Sequence, residues 1–133
     1  MNDTGNLTTA ARPFVDFVML NSLAEAQGEG EPDLIVELID LYLGDTPKRV
    51  ANMREAVANS DRLGLARGAH ALKGSSATLG AVQVAESCTE LEILAGELSF
   101  TKAALVLNRL DNELASLEDA FMIERQERSE QTK

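Results

Sequence analysis

Apolar positions along this 133-residue chain repeat at intervals of three and four, the period of helices that bury one stripe. The last run shows it without a fault, through Ala103, Leu107, Leu110, Leu114, Leu117 and Phe121. Before it, Val84, Cys88, Leu91, Ala95 and Leu98 alternate by four and three, which predicts a helix following closely on Gly80. Further upstream a stripe of Ile35, Ile39, Tyr42, Leu43, Val50, Met53 and Val57 starts at Pro32-Asp33, with Leu34, Leu38 and Leu41 widening it early on. Its register survives across Pro47, whose ring removes one backbone hydrogen bond, so one kinked helix or two nearly collinear ones are expected there. Asn59-Ser60-Asp61 supplies capping side chains for a helix that runs to about Leu79 and is stopped by Gly80. A shorter first helix is expected to begin near Pro13, to carry Phe14, Phe17, Val18 and Leu20, and to end at Gly28-Glu29-Gly30.

Amphipathic helices joined by short turns can bury their stripes only against one another, so the predicted fold is all-α, an antiparallel four-helix bundle with an additional short N-terminal helix over one end. Met1–Thr9 and Glu124–Lys133 are too polar to add to a core and read as flexible tails, leaving residues 10–123 as the folded domain. No linker, Pro-rich tract or internal repeat divides that span. A chain of this length supports one domain that buries roughly two-thirds of its unfolded surface. Composition agrees with helices, because the apolar share is spent on Leu, Ala, Val and Ile, with no Trp, one Tyr and four Phe.

Charge narrows the function. A formal net charge of −10 repels phosphate backbones and anionic lipid, so neither nucleic acid nor a membrane surface is the expected partner. One cysteine, Cys88, and one histidine cannot form an internal disulfide or supply most transition-metal sites, so no metal is expected on this chain. No apolar stretch is long enough to cross a bilayer and Met1–Thr9 lacks the features of a signal peptide, so export is not expected; the single cysteine suits the reducing cytoplasm, and a monomer is expected there. The many acids, among them Glu29, Glu31, Glu90, Glu92, Glu97, Glu113 and Glu118, read as solvated helix faces rather than ligands.

The candidate chemistry lies on the third helix. At about 100° per residue its apolar stripe is Leu65, Ala69, Leu72 and Leu79, with small Ser76 on the same line. His70 falls about 140° from the stripe centre, among Leu63, Ala66, Arg67, Gly74 and Ala77, with Lys73 at the border. The imidazole is therefore open to solvent and to a partner protein. A lone surface histidine is usually idle, but this one is surrounded by small residues. Gly74 sits one turn along in mid-helix, where glycine costs about 1 kcal/mol relative to alanine, and its missing side chain clears space beside the ring. Arg67 and Lys73 give the patch positive charge within an acidic chain, where a phosphoryl group would be stabilised.

These residues carry a family resemblance. The run Ala69-His70-Ala71-Leu72-Lys73-Gly74-Ser75-Ser76-Ala77-Thr78-Leu79-Gly80 resembles the signature of histidine-containing phosphotransfer domains, His-x-Leu-Lys-Gly-Ser-Ser/Ala followed by an apolar residue and Gly. The likeness extends from roughly Phe17 to Leu117, including Asp33–Val50 and the Cys88-x-x-Leu91-Glu92 stretch. The resemblance implies a four-helix bundle of a multistep two-component phosphorelay, stand-alone and without its own ATP-binding or kinase domain. Its histidine accepts a phosphoryl group from an aspartyl phosphate on one receiver domain and gives it to an aspartate on another. The partners implied are receiver domains of hybrid histidine kinases and response regulators. No cofactor is expected on this chain, and Mg²⁺ is expected on the partner receiver. By the same resemblance His70 is the phosphorylated nucleophile and Lys73 the electrostatic partner of the phosphoryl group. Arg67, Gly74, Ala66, Ala77 and Ser75 form the receiver docking surface, with Gly74 as the gap. Ser76 and Gly80 fit the motif but read as packing and helix-end residues.

Two other readings compete. A histidine kinase would carry His-Glu/Asp-x-Lys/Arg-x-Pro, whereas Ala71 follows His70, and no Asn- and Gly-rich nucleotide motifs or P-loop are present. A helical module that binds a partner without phosphate chemistry is compatible with any such bundle, because fold alone does not decide function.

Overall fold

The computed structural model describes residues 15–26 and 33–131, and the expected N-terminal tail, Pro13, Phe14 and Gly28-Glu29-Gly30 lie outside them. Five helices follow one another: α1 Phe17–Ala26, α2 Leu34–Ala58, α3 Arg62–Thr78, α4 Val82–Gly96 and α5 Phe100–Gln131. Asp33 caps α2, its carboxylate accepting from Ile35 N at 2.9 Å and Val36 N at 3.4 Å. The helix then runs unbroken through Pro47 to Ala58, so the stripe on either side of the proline belongs to a single element.

The three turns of the bundle share one construction. The last carbonyls of α2, α3 and α4 are closed by paired backbone bonds: Ser60 N to Val57 O and Asp61 N to Ala56 O, Gly80 N to Ala77 O and Ala81 N to Ser76 O, Leu98 N to Ala95 O and Ser99 N to Leu94 O. Each pair requires a left-handed residue just past the helix, here Ser60 (φ 54°), Gly80 (φ 74°) and Leu98 (φ 58°). The next residue opens the following helix, most plainly Asp61, whose side chain accepts from Gly64 N at 2.9 Å. Successive helices are thereby forced antiparallel.

Gly80 has a second constraint. Asp16 N donates to Gly80 O at 2.6 Å, and a Cβ at position 80 would lie 2.7 Å from Asp16 O. The chain entering α1 thus presses against the end of α3, and Asp16 Oδ1 caps α1 through Val18 N and Met19 N.

Leu20, Ile35, Ile39, Met53, Leu65, Leu72, Leu91, Leu107, Leu110, Leu117 and Phe121 fill the interior. Fully burying a residue such as Leu72 contributes about 2 kcal/mol from transfer alone, and truncating it to alanine would cost about 2–5 kcal/mol once the cavity is included. Tyr42 packs edge-on against Phe121 with ring centres 5.7 Å apart, and its hydroxyl meets Ser76 Oγ at 2.7 Å. Burial pushes that phenol up to about 12, so it stays protonated. Small Ser76 thereby lets α3 approach α2 and also satisfies the buried hydroxyl.

Three expectations need correction. Phe17 and Val18 are exposed and Leu20 is the buried residue of α1. Leu98 does not extend the α4 stripe: it is 61% exposed, because it occupies the left-handed turn position after the helix. The segment from Glu124 is not a tail, since α5 continues helically to Gln131. Its charges have partners: Arg125 Nε donates to Asp40 of α2 at 2.6 Å, and Arg128 reaches Asn21 of α1 at 3.0 Å and Glu124 of its own helix at 2.7 Å, close to the α2 cap residue Asp33. Polar residues can extend a helix when adjacent elements offer them counter-charges.

Candidate functional site

The core stripe of α3 fixes the opposite face of that helix. Leu65, Ala69, Leu72 and Ser76 are buried, which turns His70 outward with its side chain 73% exposed. Arg67, Gly74 and Ala77 are exposed on the same face, and half-buried Ala66 sits one turn before the histidine. A Cβ built at Gly74 meets nothing within 4 Å, whereas one at Gly68 would lie 2.6 Å from Met53 Cγ. Gly68 is explained by packing against α2, and Gly74 is not. Ser75 departs from the expected cluster: about 140° around the helix from His70, it lines the groove between α2 and α3 with Leu38, Leu41, Asp45 and Thr78. Its hydroxyl donates back to Leu72 O at 3.2 Å.

Across from His70 stands a residue that sequence reasoning had assigned to the solvated surface. Glu92 of α4 takes His70 Nδ1 at 3.0 Å on Oε2 and Lys73 Nζ at 2.5 Å on Oε1. Its side chain is 25% exposed, and the Lys73 ammonium first, then the imidazole, hold its carboxyl below the usual range against the effect of partial burial. An ionised carboxylate can only accept, so the nitrogen facing it carries a proton. His70 Nε2 has no partner among the described residues. Glu90 and Glu113 are likewise engaged, both with Arg109, and Glu113 also accepts from Ser87 at 2.6 Å.

The face is also electrically distinct. Helix α3 carries Arg62, Arg67 and Lys73 and no acid, within a chain of net charge −10. Among the described residues, no group of three or more His, Cys, Asp and Glu side chains is placed to hold a metal ion. Cys88 is buried behind the site, its thiol pushed up to about 12 chiefly by burial, and therefore unreactive.

An exposed imidazole beside a cleared helix face, flanked by cations and backed by a carboxylate, suits transfer of an anionic group between proteins. Comparison with known proteins agrees. The family model of the Hpt domain matches residues 37–120. The chain belongs to the Hpt domain family. Histidine-containing phosphotransfer protein 2 of Arabidopsis thaliana is 27% identical to this Hpt chain over 111 residues, covering 78% of this chain and 71% of the relative. Among solved structures, histidine-containing phosphotransfer protein B from Pseudomonas aeruginosa PAO1 superposes with a TM-score of 0.80 at 30% identity, covering 88% of this chain and 98% of that one. A maize histidine-containing phosphotransfer protein shares the fold at 21% identity, with a TM-score of 0.80 and coverage of 97% and 96%. The four-helix bundle with an added N-terminal helix is the architecture of this Hpt domain, and His70 lies inside the matched span.

Proposed function

We propose that this Hpt domain is a phosphocarrier that takes a phosphoryl group onto the His70 imidazole from an aspartyl phosphate on one receiver domain and yields it to an aspartate on another. The observation that carries this reading is the position of His70: outward on a rigid helix, with open space above Gly74 and positive charge on either side. Transfer between a carboxylate and an imidazole is dominated by positioning and charge neutralisation. The bundle supplies the first through the packed α3 and the second through Arg67 and Lys73. The partner is expected to bring the rest, including Mg²⁺ in its own acidic pocket. The buried free thiol of Cys88 suits a reducing compartment, and we read the chain as a cytoplasmic monomer that meets receivers of hybrid kinases and response regulators.

The test is incubation of the chain with a phosphorylated receiver and Mg²⁺. Label should appear on wild type, survive base and be lost in acid, and be absent from His70→Gln. Because the ring is solvent-exposed, that variant should keep its stability within about 0.5 kcal/mol. Label retained by His70→Gln, or none on wild type with any receiver, would refute the assignment.

A further inference from the structure

We propose that the seam between α2 and α5 is a binding site for a small organic amine, one that joins an aromatic or branched apolar body to a primary ammonium group. The site lies apart from phosphotransfer. The long helices pack as a ring in which α3 touches α2 and α4, and α5 touches the same two, so the α2–α5 seam is diagonal to the α3–α4 seam that holds His70 and Glu92.

Ion pairs close the α2–α5 seam at two levels. Arg54 of α2 bonds Asp111 of α5, and Asp40 of α2 accepts from Arg125 of α5 at 2.6 Å. Between these clasps the facing residues are too small to meet. Pro47 and Ala51 stand across from Leu114 and Ala115, and a cavity of about 490 Å³ opens there with buried Tyr42 and Val50 behind it. That volume lies in the range of about 300–1,000 Å³ in which proteins hold small molecules.

The polar groups on the walls decide what kind of molecule fits. The donors are already engaged: Thr46 Oγ1 donates to Tyr42 O at 2.6 Å, the Tyr42 hydroxyl is paired with Ser76, and Arg54 reaches Leu107 O and Asn108 Oδ1 besides Asp111. Two acceptors are left over. The exposed Glu118 carboxylate has no partner among the described residues. Pro47 has no N–H to offer the carbonyl of Leu43, its partner in an unbroken α-helix, and the ring pushes that carbonyl aside; Leu43 also lines the cavity. Apolar walls with free acceptors and a negative charge at the rim select an apolar body that carries an ammonium donor. An anion of the same shape would meet Glu118 and Asp111 with no free donor to hold it.

Tryptamine serves as the probe, and indole-3-propionate is its anionic counterpart with the same ring system. In amide NMR titrations of the full chain, tryptamine should give saturable shifts confined to residues 42–54 and 111–118, with a dissociation constant of about 1 mM or below. Indole-3-propionate should give none at equal concentration. Glu118→Gln should weaken tryptamine by roughly three- to tenfold. Ala115→Phe, which fills the slot and leaves the net charge unchanged, should abolish saturable binding with circular dichroism unaltered; Ala51→Phe makes the same test from α2 should the first variant fail to fold. Any amine is drawn loosely to a chain of net charge −10, and the filling variants separate the cavity from that general attraction. The proposal is overturned by shifts spread over the acidic surface, by the lack of any saturable shift, by equal binding of indole-3-propionate, or by tryptamine affinity that the filling variants leave untouched.

Discussion

Gly74 is a residue whose replacement should improve the fold and ruin the function. Helix α3 contains three glycines, and two have structural reasons: a side chain at Gly64 would strike the Asp61 cap, and one at Gly68 would strike Met53. At Gly74 a Cβ has open space, so substitution adds neither contact nor clash in the folded state. What remains is helix propensity. Alanine there should stabilise by about 0.5–1 kcal/mol and glutamine by somewhat less, raising the midpoint of thermal unfolding by roughly 2–5 °C. The same open space lies one turn from the His70 ring, where a receiver aspartate must arrive within bonding distance. A glutamine side chain standing there would hold the two proteins apart, and a displacement of about 1 Å already costs on the order of 10²-fold in rate. Thermal unfolding by circular dichroism should therefore show Gly74→Gln at least as stable as wild type, while transfer from a phosphorylated receiver falls by roughly 10²-fold. Phosphoramidate should still label His70 in the variant, because it needs no docking. Normal transfer from the receiver would refute the docking face, and a clear loss of stability would show that the glycine serves packing after all.

Lys73→Ala should slow transfer or shorten the lifetime of phosphohistidine while receiver binding, followed by titration, changes by roughly 1 kcal/mol or less. Unaltered transfer and lifetime would leave Lys73 as the anchor of Glu92 only. The lowered carboxyl of Glu92 has a pH consequence: a group whose folded value lies below its ordinary 4.5 adds stability above that value and loses it as pH falls through the folded one. Denaturant unfolding should thus find Glu92→Gln less stable than wild type near neutral pH and the gap closing in acid, and a gap independent of pH would contradict the ion pairs. Arg128, with its side chain only 13% exposed, joins the end of α5 to Asn21, Glu124 and Asp33. Arg128→Ala should cost about 1–2 kcal/mol and speed hydrogen exchange in the last turns of α5, leaving phosphotransfer intact; no change in exchange would restore the view of that segment as a tail.

Periodicity sufficed for most of the fold because each helix of this bundle buries one stripe, and a stripe is a local property of the sequence. The same arithmetic places His70 outward, and the density of the motif around it points to phosphotransfer. Where reading stopped, the missing information was non-local. Arg125 and Arg128 look like a solvated end until Asp40, Asn21 and Asp33 are brought beside them, more than eighty residues away in sequence. Leu98 fits a helical stripe by spacing, yet the turn into α5 takes it as its left-handed residue although a glycine, Gly96, stands only two positions earlier. Glu92 is the most instructive case. It was one acid among many, and only its place in the Cys88-x-x-Leu91-Glu92 stretch could have marked it. Leu91 is buried, which turns its neighbour Glu92 toward the seam with α3. The tight turn at Gly80 sets the register of α4 against α3, so residue 92 comes level with residues 70 and 73. The motif glycine that reads as a mere helix end is thus also what delivers the carboxylate to the histidine.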